Sequence, residues 1–259
     1  MRKRLTVLGI FFISLGLLMA GGVMLGQRMS EYAEGDEAYS ELEEYVTLYS
    51  QRPGEDDTAC QTDTDEDESD MLSVDFAALS QINPDIVGWL YCEGTAINYP
   101  VVQGCDNEYY LDHLFDGSEN ANGCLFLDSR VEPSFSSRHS IIYGHHMQSG
   151  AMFAALDNYK RQSYYDAHPT MQLITPDETY EIQLFAAYVT APSEDAWNVS
   201  FSSDEEFLRW LDDAKASSTF SSDVEPAPED FILTLSTCSY EFSGSRLVVL
   251  GVIKEIKTE

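Results

Sequence analysis

Apolar positions recur along this chain in three ways: as an unbroken run, at helical spacing and at strand spacing. Residues 5–26, LTVLGIFFISLGLLMAGGVMLG, carry no charged side chain and follow the basic trio Arg2-Lys3-Arg4. At about 1.5 Å per residue the run spans roughly 33 Å against a bilayer core of about 30 Å, which predicts a transmembrane anchor. The basic start and the acidic sequence that follows orient it with the N-terminus cytoplasmic and the remainder extracellular, single-pass. A cleavable signal peptide is the alternative, with Ala20-Gly21-Gly22 offering small residues to a peptidase, but the run exceeds a usual signal core. Residues 30–50 repeat Tyr and Leu at loose three-to-four spacing, which predicts a membrane-proximal helix. Residues 51–70 have no apolar period, several breakers and many acids, and read as a flexible linker.

Past Met71 the pattern changes. VDFAALSQI (74–82) places Phe76, Leu79 and Ile82 at helical spacing, and Asn83-Pro84 predicts a second short helix through Asp85-Ile86-Val87 that Gly88 ends. Then come GWLYC, AINYPVV, GCLFLD, HSIIYG, MQLIT, TYEIQLFAAYV, FILTLST and RLVVLGVIKEI. Each is rich in β-branched or aromatic residues and bounded by turn formers, so the domain is predicted to be mainly β, a barrel or a sandwich. One helix interrupts the series. Ser203-Asp204-Glu205-Glu206 is a capping-box start, with Phe207, Leu208, Leu211 and Ala214 following on one face. It lies in a connection long enough to carry function, a decorative surface helix being the alternative.

A length of 259 residues suits one catalytic domain plus a tail. Against 14 Lys+Arg stand 45 Asp+Glu, a net charge of −31 that repels phosphate backbones and excludes nucleic-acid binding. Residues 31–70 hold 16 of the acids and a single basic residue, Arg52, as a solvated spacer would; a metal-binding or partner-binding tail is the alternative. The expected partition is a basic tail at 1–4, an anchor at 5–26, an acidic helix and linker at 27–70, and an extracellular catalytic domain at 71–259.

Five cysteines without a CxxC pair resemble no zinc module, and the odd count leaves at least one thiol free. Cys238 ends the FILTLST strand between Thr237 and Ser239, outside any unbroken apolar run, and Arg246 opens the next strand eight residues on. A hairpin would set thiol and guanidinium on neighbouring strands, where a cation lowers a thiol pKa and holds an oxyanion. Spacing alone leaves a structural cysteine beside a surface arginine equally open. Among five histidines, His145 follows a strand and a glycine in IIYGHHM. The adjacent His145-His146 pair invites a metal, but neither HExxH nor a Cys/His ligand set accompanies it, so no metal and no cofactor are expected. Histidine preceding cysteine, with no CGSCW-like string, argues against a papain-type enzyme.

TLSTC (234–238), Arg246 and IIYGHHM (141–147) together resemble the sortase family of cell-surface transpeptidases. VDFAAL, INPDIVGWL, GTAINYPVV, DNEYYLDH, GCLFLDSR, IIYGHHMQSGAMFAAL and TLSTCSYEFSGSRLVVLGVI resemble class B in order, over roughly residues 73–255. The resemblance implies a closed sortase-like β-barrel with N-terminal helices and a helix in the long loop before the cysteine strand. It implies Cys238 as nucleophile, His145 as acid and base, and Arg246 as the group that holds substrate and oxyanion. Ser236, Tyr143, Asn107 and Leu111 would line the peptide groove. His146 departs from the class, where Asn is expected. The implied function is membrane-anchored transpeptidation. A secreted protein's C-terminal sorting signal, NPQTN-like or (S/N)PxTG-like, is cleaved after Thr and joined to a peptidoglycan amine. A pilin polymerase using a lysine amine, and a non-catalytic surface adaptor, are the alternatives.

Overall fold

The computed structural model describes residues 2–49, 71–192 and 195–256, with backbone alone for 2–15, 48–49 and 71. Helix α1 (Arg2–Leu42) leads through a 3-10 turn into β1 (Val46–Tyr49), which pairs antiparallel with β2 (Met71–Val74). Next come α2 (Phe76–Ile82), β3 (Ile86–Tyr91), β4 (Asn98–Val102), β5 (Leu125–Leu127) and β6 (His139–Tyr143). After a 3-10 segment, Phe153–Lys160, follow α3 (Gln162–Ala167), β7 (Thr170–Ile174), β8 (Thr179–Thr190), α4 (Asp204–Ala216), β9 (Phe231–Cys238) and β10 (Arg246–Glu255). Eight strands close a barrel in the order β10-β8-β7-β3-β4-β5-β6-β9, with β9 returning to β10. All eight predicted strand segments are in it. The pairs β4–β5 and β6–β9 are parallel and the rest antiparallel.

The pattern of β10 shows why the barrel is covered on one side by a helix. Leu247, Val249 and Ile253 face the central core, while Val248, Leu250 and Val252 pack with Phe207, Trp210 and Leu211 of α4. A strand buried on both faces reads as a continuous apolar run, as RLVVLGVI does. Gly251 sits where a Cβ would come within 2.5 Å of Ile182, so the strand crosses its neighbour too closely for a side chain. Helix α4 starts as its sequence predicts, the Ser203 hydroxyl accepting from Glu206 N at 3.2 Å.

Three expectations meet a different outcome. The short helix through Asp85-Ile86-Val87 does not form: Asn83 closes α2, its Oδ1 accepts from Asp85 N, and its amide donates to Tyr110 Oη and Phe115 O. That side chain is spent on a turn, and β3 begins at Ile86. Helix α1 does not end as a free spacer. Asn120 and Asn122 donate to the carbonyls of Glu31 and Tyr32, Tyr39 donates to Gly123 O at 2.5 Å, and Tyr39 and Leu42 join the barrel's core. The single-pass membrane placement is corrected outright. Among the described residues no helix is long and apolar enough to cross a membrane. The acidic segment 51–70 lies outside the described residues, but its flanks do not: Tyr49 and Met71 are register partners.

Candidate active site

Strand register brings the chemistry together. Antiparallel pairing of β9 with β10 sets Arg246 directly opposite Cys238. Parallel pairing of β6 with β9 sets Tyr143 opposite Ser236 and continues one step further, where Gly144 N donates to Ser236 O at 3.1 Å. Two residues beyond each partner lie His145 and Cys238, so the equal offset of parallel strands delivers imidazole and thiol to one rim. Gly144 is held there by packing against the core. A Cβ there would stand 2.4 Å from Leu125 and 2.7 Å from Phe153.

Cys238, His145, Arg246, Ser236, Tyr143, Asn107 and Leu111 all line a single open cleft of about 510 Å³. Phe126, Gly144, Pro192, Trp197 and Thr237 complete it. A second groove of about 650 Å³ between β8 and α4 holds neither a cysteine nor a histidine.

His145 is half-buried, with Nε2 2.6 Å from Leu111 O. A carbonyl only accepts, so Nε2 carries the proton and Nδ1 is the nitrogen left to exchange one. His146 is used differently: its Nδ1 lies 3.1 Å from Cys238 O, its ring meets Tyr240 edge-on, and it does not line the cleft. Arg246 donates to Gly244 O and Ser245 O, and among the described residues no carboxylate pairs with it. In a chain this acidic, an unpaired guanidinium facing a cleft is available to an incoming carbonyl.

The four described cysteines are free thiols. Burial pushes the Cys92 thiol up, and pushes that of Cys124 up to about 12, so both stay protonated. Cys105 is exposed beside Asp106, and Cys238 alone shares a cleft with an imidazole and a guanidinium. Cys60 lies outside the described residues.

Two features behind the cleft went unread in the sequence. Asp128, fully buried, accepts from Arg130 through Nε at 2.9 Å and Nη2 at 2.7 Å, and from the Tyr143 hydroxyl at 2.8 Å. Burial alone would raise its carboxyl pKa; these donors outweigh it and hold the group at about 2. The buried His139 bridges Asn198 O and Thr234 Oγ1, each at 2.7 Å, and desolvation lowers its pKa to about 4. Asp-x-Arg after a strand was the only available signal for the first; nothing in the sequence signals the second.

A thiol, an imidazole and an unpaired guanidinium at the rim of a closed barrel define a cysteine enzyme suited to acyl transfer. Known proteins carry this further. The family profile of the sortase domain matches residues 90–254. Sortase B of Staphylococcus aureus (strain NCTC 8325 / PS 47) is 36% identical over 182 residues, 70% of this chain and 75% of its own. The solved Staphylococcus aureus sortase B-substrate complex superposes with a TM-score of 0.67 at 36% identity, covering 70% of this chain and 85% of that one. Sortase B from Bacillus anthracis in complex with AAEK1 gives 0.72 at 30% identity, covering 88% of this chain and 100% of that one. The chain belongs to the sortase family, and within it is a sortase B-type cysteine transpeptidase.

Proposed function

We propose that the enzyme cleaves an NPQTN-like or (S/N)PxTG-like C-terminal sorting signal after its threonine and passes the new C-terminus to a peptidoglycan amine. The Cys238 thiolate attacks the threonine carbonyl carbon, and Arg246 holds the oxyanion that forms. The C–N bond breaks as protonated His145 gives its proton to the leaving amine, which leaves a thioester on Cys238. An acceptor amine then attacks the thioester and gives a proton to His145. The new amide forms and the thiolate departs. Ser236, Tyr143, Asn107 and Leu111 hold the signal peptide.

The observation that carries this reading is the register of β9 with both neighbours, which gathers Cys238, Arg246 and His145 at one cleft. Its test uses the full chain with internally quenched peptides bearing NPQTN, SPKTG and LPETG, an amine acceptor, and product identification by mass spectrometry. Cleavage after Thr with an amine adduct, both lost in Cys238→Ala, is expected for at least one motif. Cleavage that yields only the free acid in saturating acceptor contradicts the transfer step; no cleavage of any motif contradicts the substrate class.

A further inference from the structure

Three consecutive residues, Asp128, Ser129 and Arg130, touch three walls of the cleft without lining it. Asp128 takes the hydroxyl of Tyr143. Ser129 N donates to Asn107 Oδ1 at 2.8 Å. Arg130, gripping Asp128 through Nε and Nη2, extends Nη2 to Trp197 O at 3.2 Å. Tyr143, Asn107 and Trp197 come from β6, from the loop after β4, and from the connection before α4, three segments that this one turn joins. The turn itself is anchored from below. Asp128 N donates to Ile141 O at 2.8 Å, and Gln103 Nε2 donates to the carbonyls of Asp128 and Val131 at 2.9 Å each.

The choice of a charged pair here needs a reason. Burying a carboxylate costs several kcal/mol, and a neutral Asn or Ser would close the same turn with less desolvation. What a neutral residue cannot do is grip a guanidinium by two parallel bonds, which fixes the plane of that group and so the direction in which its remaining N–H points. Here it points at the carbonyl of a cleft-lining tryptophan.

We propose that Asp128 and Arg130 form a positioning hub that sets the width of the donor-peptide cleft, so that they govern how well the peptide binds rather than the chemical step. The inference rests on the reading of this cleft as the peptide groove. Neither residue contacts Cys238, His145 or Arg246 in the network described, so neither is catalytic. Their action passes through Tyr143, Asn107 and Trp197.

Arg130→Lys is the informative variant. It keeps the positive charge beside Asp128, loses the fork, and leaves the Trp197 connection tethered one residue on by the hydrogen bond between His139 and Asn198 O. The Arg130 side chain is half-exposed, so the variant is expected to fold. Steady-state cleavage by the full chain should show KM raised about tenfold and kcat within about threefold of wild type, the pattern of lost positioning on the binding side. Tyr143→Phe, which removes only the hydroxyl given to Asp128, should shift KM in the same direction. A second readout does not require turnover. Trp89 and Trp210 are buried and Trp197 is not, so acrylamide quenching reports mainly on Trp197, and its slope should rise about twofold in Arg130→Lys as the connection loosens.

Kinetics and quenching both indistinguishable from wild type would overturn the hub, because charge alone would then suffice. A fall in kcat with KM unchanged would overturn it too, since the pair would be acting on chemistry. If the wild-type chain cleaves no peptide, the substrate reading fails and the quenching arm alone decides: an unaltered slope rejects the hub, and a steeper one supports it.

Discussion

Cys92, Cys124 and Cys238 carry the same side chain into three environments. Burial holds the first two protonated, while the third stands half-exposed at a strand end opposite Arg246. The histidines divide in the same way. His145 faces the cleft with one nitrogen committed to Leu111 O, whereas His139 is enclosed and fully hydrogen-bonded as the neutral form. The folded pKa of His139, about 4, lies below the ordinary 6.5, so above pH 6.5 neither folded nor unfolded chain protonates it and its contribution is complete. Between pH 6.5 and 4 the unfolded chain takes up a proton that the folded chain refuses, so stability falls as the pH falls, by up to roughly 3 kcal/mol. Urea denaturation of wild type and His139→Gln at pH 7, 6, 5 and 4 should show the steeper loss in wild type. Parallel losses would contradict the assignment.

At the scale of elements, the legible parts are those whose signal is local. Each barrel strand carries its own apolar period and turn punctuation, and α4 carries its cap, so all nine could be read without knowing their neighbours. TLSTC and YGHHM lie at strand ends, and the resemblance they carry named seven of the twelve residues that line the cleft before any register was known. The parallel pairs β4–β5 and β6–β9 were illegible, because nothing in one strand marks a partner 24 or 93 residues away. The end of Asn83-Pro84 as a turn was illegible because the Asn side chain has partners on a distant loop. The seat of α1 was illegible for the same reason. Gly35 looks like a helix weakener, yet a Cβ there would stand 2.4 Å from the amide of Asn122, which is fully buried and donates to Tyr32 O and Asp36 Oδ1. Gly35→Ala should therefore destabilise the full chain by about 1–3 kcal/mol despite the better helix former. Gly26→Ala, where a Cβ meets nothing within 4 Å, should leave stability equal or higher. Equal denaturation midpoints for Gly35→Ala and wild type would contradict the docking of α1.

For the whole molecule, the acidic segment changes meaning once its ends are known. Composition suggested a spacer that separates two parts of the chain, but Tyr49 and Met71, the residues that flank it, are register partners on adjacent strands. Residues 50–70 hold nine acids and one arginine, about a quarter of the net charge of −31. Replacing them by Asn-Gly, a favoured two-residue hairpin turn, shortens the connection between the paired strands and lowers the entropy cost of closing it. The thermal midpoint should not fall, and peptide cleavage should stay within about twofold, because the described residues that line the cleft all lie between Asn107 and Arg246. Loss of cleavage with the fold retained would show that the segment contributes to function.

The most direct test of the central claim looks for the thioester itself. The full chain, mixed with a peptide substrate in the absence of acceptor amine and quenched in acid, is weighed intact by mass spectrometry. The account predicts an added mass equal to the peptide up to and including its threonine, mapped to Cys238 after digestion. It should discharge on adding an amine, be absent in Cys238→Ala, form far more slowly in His145→Ala, and persist in His146→Ala. An adduct on Cys105, or one that forms normally in His145→Ala and is lost in His146→Ala, would contradict it.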